Sequence, residues 1–252
     1  MSDGMQSVGG STRRDILKKG AIGATAAWVA PTVLSVQGAA AQSAGGGILP
    51  PDPQGGIYEY IGPAPFFSPL TRNTFAAALA PRPFTAQQAT LPASYAGISL
   101  LYIAGNTVVP SPTEMAALLA YVTGGGRVLI DSDFGDFSNL NNTANAILAS
   151  LGVSMSYVSA TLDIPCSTTT NVVPGPFSTG LAGLPMKLAT TGDIAVASPA
   201  AVIVNGNSGQ PLLAYQQLGS GVVFFTSDTQ TFDDQYCGWP VGTTQLAQNL
   251  LS

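Results

Sequence analysis

Between Gly97 and Gly152 the sequence alternates twice between an apolar run and a segment of helical period, and few folds accept that rhythm. Ile98-Ser99-Leu100-Leu101-Tyr102-Ile103 is apolar at nearly every position, as in a strand covered on both faces. Ser111-Pro112-Thr113-Glu114 joins an N-cap serine, a proline at the first helical position and a glutamate three residues after the cap. Met115, Leu118, Leu119 and Val122 then recur at helical spacing until Gly124-Gly125-Gly126 stops the helix. Arg127-Val128-Leu129-Ile130-Asp131 reads as a second buried strand. Leu140, Ala144, Ile147, Leu148 and Leu151 mark a second helix, ended by Gly152. Doubly covered strands joined through helices run parallel and are linked by right-handed crossovers. The expected class is therefore α/β, three layers deep, with a mostly parallel sheet flanked by helices.

The flanking sequence fits around that centre. Ile57 to Ile61 alternates like a short strand, Thr71 to Ala80 reads as a helix closed by Pro81, and Phe84 to Leu91 as an edge strand. The later part is richer in strands: Val153–Leu162, Met186–Ala197, Ala200–Val204, Leu212–Gln217 and Val222–Ser227. Leu218-Gly219-Ser220-Gly221 is a hairpin-type turn, and Thr243 to Leu251 a closing helix. Thr168 to Gly183, with Pro174-Gly175-Pro176, reads as a loop.

The N-terminus reads as an address. Ser11-Thr12-Arg13-Arg14-Asp15-Ile16-Leu17-Lys18 resembles a twin-arginine export signal, with Ile16 where that motif usually has phenylalanine. An alanine-rich apolar stretch, Ala21 to Val36, and the small residues Ala39-Ala40-Ala41 follow in the order a signal peptidase reads. Residues 1–41 are thus expected to be a leader, 42–56 a flexible Gly/Pro-rich lead-in, and 57–252 a single α/β domain. The implied partner during export is the twin-arginine translocase, and the destination is periplasmic, cell-surface or extracellular. Of eight basic and thirteen acidic residues the leader holds Arg13, Arg14, Lys18, Lys19, Asp3 and Asp15, which leaves four against eleven and a net charge of −7. Phosphate backbones demand clustered lysine and arginine, so no nucleic-acid partner is expected.

Leu101-Tyr102-Ile103-Ala104, the Ser111-to-Glu114 cap, Gly124 to Ile130, Ala146 to Gly152 and Gly219 to Phe225 together resemble the class I glutamine amidotransferase-like superfamily, a flavodoxin-like fold. The likeness is to its exported, non-catalytic branch. Enzymes of that family carry a nucleophilic cysteine on the turn after the strand that follows the glycine stop; here that turn reads Asp131-Ser132-Asp133. They carry a histidine and a glutamate after the late strand, where this chain has Ser227-Asp228-Thr229-Gln230. The sequence holds no histidine at all, and a hydroxyl or thiol without a general base is a poor nucleophile at neutral pH. No catalytic residue is assigned, and glutaminase chemistry is excluded. The expectation is a binding or structural module of the cell envelope.

Six aspartates follow two strands: Asp131, Asp133 and Asp136 after one, and Asp228, Asp233 and Asp234 after the other. If both strands belong to one parallel sheet, their C-terminal ends open on the edge where such sheets bind ligands. Hard oxygen donors this close suit calcium better than magnesium, while aspartates after strands also serve as caps of turns and helices. The alternative function is therefore a hydrolase or carbohydrate-active protein using this acidic rim, with or without calcium. The loop aromatics Phe66, Phe67, Tyr236 and Trp239 are candidates for a sugar-stacking surface or for the cover of a core edge. A third reading is a scaffold or adhesin with a Thr/Asn-rich surface.

The only two cysteines, Cys166 and Cys237, lie in loop-like sequence and, if exported, in an oxidising compartment, so a disulfide between them is expected. The export reading has a direct check. Replacing Arg13→Lys and Arg14→Lys together should leave the precursor uncleaved in the cytoplasm on fractionation and immunoblotting; normal export of that variant would refute it.

Overall fold

The structure is a computed structural model and describes residues 55–66, 71–133, 138–159, 166–189, 191–234 and 236–252. All of these lie in the unit Ala40–Ser252. The proposed leader, including Arg13 and Arg14, lies outside the described residues, as do Phe67 and Asp136.

A seven-stranded sheet forms the middle layer. Its strands are β1 (Gly56–Tyr60), β2 (Phe84–Gln88), β3 (Ile98–Ile103), β4 (Arg127–Asp131), β9 (Ala201–Asn205), β10 (Pro211–Leu218) and β11 (Gly221–Thr226). Their order is β2-β1-β3-β4-β11-β10-β9. The first five neighbours pair in parallel, and β10 runs antiparallel to both β11 and β9. The expected mostly parallel three-layer architecture is thus the one observed.

Alternation along the strands sorts the core into two faces. Leu101, Ile103, Val128, Ile130, Val223 and Phe225 pack toward α2 (Pro112–Thr123) and α3 (Ser138–Leu151). Leu100, Tyr102, Leu129, Val222 and Phe224 pack on the other side, with Phe75 of α1 (Asn73–Ala78) and Leu246 of α4 (Val241–Asn249). The local signals at α2 are realised in full. The Ser111 side chain accepts from the Glu114 N–H, and the Glu114 carboxylate accepts from the Ser111 N–H at 2.7 Å. At the hairpin turn, Gly219 has φ +62°, and a Cβ on Gly221 would sit 2.1 Å from the Val122 carbonyl oxygen. Only glycines let the β10–β11 turn press against the end of α2.

Two sequence expectations need correction. The stretch Met186–Ala197 is not one strand but two, β7 (Met186–Leu188) and β8 (Asp193–Val196), in separate two-stranded ladders. Thr191-Gly192 interrupts it, and the Gly192 N–H donates to the Ser227 carbonyl at 3.3 Å rather than to a neighbouring strand. The strand expected within Val153–Leu162 is present as β5 (Met155–Ser159), which pairs with β8 outside the main sheet. The segment read as a loop from Thr168 begins instead with β6 (Ser167–Thr169), antiparallel to β7.

Cys166 and Cys237 are joined by a disulfide, with Cα atoms 4.6 Å apart and 71 positions between them in sequence. Both cysteines adopt left-handed backbone, φ 58° and 62°, which non-glycine residues enter only when their surroundings hold them there. A closed loop of this length removes roughly 4 kcal/mol of chain entropy from the unfolded state, an upper figure. Replacing Cys166→Ser and Cys237→Ser together should therefore lower the free energy of unfolding by about 2–4 kcal/mol in urea titration. The unreduced parent protein should show no alkylatable thiol; two reactive thiols would contradict the bond.

Candidate functional site

The connection after β1 leads outward to β2, whereas the connection after β3 leads the other way to β4. The strand order therefore reverses between β1 and β3, and in open α/β sheets the crevice beyond such a reversal is where ligands bind. Register determines what stands there. Glu59 pairs with Tyr102, and Asp131 pairs with Thr226, so strand alternation turns Glu59, Tyr102 and Asp131 toward the α1 face.

Arg72, the residue that caps α1, enters this row from above. Its Nε lies 2.6 Å from Glu59 Oε1, and both side chains are 1% exposed. Its Nη2 donates to the Thr229 carbonyl at 3.2 Å, and its guanidinium carbon stands 4.6 Å from the Tyr102 ring centre. The second Glu59 oxygen accepts from the Gln87 N–H at 3.1 Å. Tyr102 in turn donates its hydroxyl to Asp131 Oδ2 at 3.1 Å, and the Gly105 N–H donates to Oδ1 at 2.8 Å. Burial pushes the Asp131 carboxyl up to about 7, against the opposing pull of Arg72, the Gly105 N–H and the Tyr102 hydroxyl. Burial also drives the Tyr102 hydroxyl well above its usual range.

The other described rim aspartates have partners of their own. Asp133 accepts from the Thr229 hydroxyl at 2.5 Å, and its backbone is held at both ends by the Asn141 amide, 2.8 Å each way. Asp228 accepts from the Gln230 and Ala189 N–H groups at 2.8 and 3.2 Å. Asp233 accepts from the Thr71 N–H at 3.0 Å, and Asp234 from the Thr74 N–H at 3.1 Å in the first turn of α1. Among the described residues no group of three or more His, Cys, Asp or Glu side chains is arranged to hold a metal ion. Ser132, on the turn after β4, is fully buried and donates its hydroxyl to the Thr226 carbonyl at 3.2 Å. Of the loop aromatics, Phe66 and Tyr236 are exposed, whereas Trp239 packs against the core and donates to Thr244 at 2.7 Å.

Sequence reasoning overlooked Glu59, Arg72 and Lys187. Lys187 is buried, donates to the Asp233 carbonyl at 2.5 Å, and has its ammonium pushed down by that burial. A signal was present: residues 55–252 contain four basic side chains, Arg72, Arg82, Arg127 and Lys187. In a chain so poor in charge, each one invites a search for its partner.

Similarity to solved structures agrees with the fold. The chain is similar to the mmIFT52 N-terminal domain, with TM-score 0.59 and 16% identity over 71% of this chain and 89% of that one. It is similar to the cytoplasmic protein STM3548 from Salmonella typhimurium, with TM-score 0.57 and 13% identity over 77% and 96%. The cytoplasmic protein STM1381 from Salmonella typhimurium LT2 matches with TM-score 0.50 and 14% identity over 68% and 87%. No family model matches the sequence. No curated protein matches it either.

Asp131 generates a pH prediction. Its folded value of about 7 lies above the ordinary 3.8, so the folded state holds a proton that the unfolded chain releases near pH 4. The stabilisation is complete below about pH 4 and is lost as pH rises toward 7, at up to ~1.4 kcal/mol per pH unit. Asp131→Asn keeps an acceptor for Gly105 and a polar partner for Tyr102. Urea titrations of this variant across that range should lose the downward slope, and an unchanged slope would contradict the assignment.

Proposed function

We propose that this protein is an exported α/β domain of amidotransferase-like fold that has given up the family's chemistry and serves as a binding or structural module of the cell envelope. The observation that carries this reading is the filling of the crevice at the β1/β3 reversal by the protein's own buried side chains, Glu59, Arg72, Tyr102 and Asp131. An enzyme of this architecture keeps that edge open and stations a nucleophile and base on it. Here the residue on the nucleophile turn, Ser132, spends its hydroxyl on a backbone carbonyl. The rim aspartates Asp133, Asp228, Asp233 and Asp234 spend oxygens on hydroxyl and backbone N–H donors.

Export draws support from the twin-arginine-like sequence at Arg13-Arg14 and from the Cys166–Cys237 disulfide, since such bonds persist in oxidising compartments. Among the described residues no helix is long and apolar enough to cross a membrane.

The test has two arms. Purified protein is assayed against chromogenic amides, esters and glycosides beside Asp131→Asn and Ser132→Ala, and no turnover sensitive to either replacement is expected. The processed protein is then mixed with washed envelope and with cytosolic fractions, and should sediment with the envelope alone. Turnover abolished by either replacement would overturn the non-catalytic reading, and indifference to the envelope would overturn the module.

A further inference from the structure

We infer that a small buried cavity beside the end of β11 is a binding site for a single internal water molecule, held by the hydroxyls of Ser227 and Thr191. The cavity measures about 20 Å³. Ser227 comes to it from the end of β11, Thr191 from the β7–β8 connection, Lys187 from β7 and Leu246 from α4. Ser227 Oγ and Thr191 Oγ1 are both buried and have no hydrogen-bond partner among the described residues. Ser227 is 0% and Thr191 3% exposed.

Two unpaired hydroxyls facing one cavity are more than a packing fault. Buried polar atoms in folded proteins are paired almost without exception, with water supplying the partner where protein does not. One water needs roughly 10–15 Å³ and two to four polar neighbours, so this cavity suits one molecule. Further partners stand in its wall. The Thr226 and Thr231 hydroxyls share one bond at 3.3 Å, and Lys187 has ammonium protons beyond the one given to Asp233.

The surrounding charges select a neutral ligand. The nearby charges are of both signs, the Lys187 ammonium on a lining residue and the buried Asp228 carboxyl on the residue after Ser227, so a neutral molecule suits the cavity better than an ion of either sign. The position also explains what the water does. The β7–β8 connection is tied to the end of β11 by the Gly192-to-Ser227 backbone bond, long at 3.3 Å, and by the Ala189 N–H donated to Asp228 at 3.2 Å. A water shared by Thr191 and Ser227 adds a further tie between the same segments.

A high-resolution crystal structure of the full chain, with its disulfide intact, should show one water within hydrogen-bond reach of both hydroxyls. A bromide soak should leave no anomalous peak there. An unfilled cavity, or a halide in it, would overturn the assignment. In solution, Ser227→Ala and Thr191→Val should each lower Tm by about 2–4 °C. The double variant should lose no more than the larger single loss, because one water and its bonds disappear together. Strictly additive losses would mean two unconnected hydroxyls and would also overturn it. Should a variant fail to fold, the crystal structure decides alone.

Discussion

The buried ion pair between Glu59 and Arg72 is the constraint around which one edge of the sheet is arranged. Taking a carboxylate and a guanidinium out of water costs several kcal/mol for each ion, and mutual attraction repays it only with further hydrogen bonds in place. Gln87 of β2 and Thr229 after β11 supply those bonds, and the Tyr102 ring of β3 lies beneath the guanidinium. The cluster can form only when α1 and four strand ends are all in register. Its value is therefore specificity more than net stability. Losing one partner of such a pair costs about 3–5 kcal/mol, because the other is left charged and buried.

The same economy runs through the whole molecule. Charged residues make up 8% of the chain, and three of the four basic side chains from residue 55 onward are buried: Arg72, Arg127 and Lys187. Arg127 donates to the Leu250 carbonyl at 2.9 Å and so ties the start of β4 to the C-terminal helix. Amides take over the stapling that surface ion pairs perform elsewhere. Asn141 brackets the backbone of Asp133, Asn145 exchanges two bonds with the backbone of Tyr157, and Gln216 accepts from the Ser154 N–H. Neutral staples are insensitive to salt, unlike exposed ion pairs.

What could be read from the residues followed the range of the physics involved. The two buried strands of the Gly97–Gly152 region, the Ser111 cap and the Gly219–Gly221 turn are local signals, and the structure repeats them. The disulfide was legible because two cysteines permit one pairing. The division of Met186–Ala197 into β7 and β8 had one local sign, Gly192-Asp193 in mid-run, but the pairing of the two halves depends on where β5 and β6 lie. The partnership of Glu59 with Arg72 was equally hidden. Arg72 reaches Thr229 across 157 positions, and no period in the sequence records such a contact. The rim aspartates were found by their placement after strands, yet their roles divided. Asp131 became part of a buried network, while Asp228, Asp233 and Asp234 accept from nearby backbone N–H groups.

That division follows from what the strand ends expose. A parallel sheet leaves its strand ends converging on one edge, and the carbonyls and N–H groups there have to be satisfied. Aspartate is an economical answer at the ends of β4 and β11, because one short carboxylate accepts two donors, as Asp131 does from Gly105 and Tyr102 and Asp228 from Gln230 and Ala189. Once Asp131 is buried, it requires a nearby cation or its own proton, and the structure supplies Arg72 for the first while the raised carboxyl range permits the second. Arg72 then requires Glu59. The acidic rim and the buried pair are thus successive consequences of sealing one edge of a parallel sheet with very few charges.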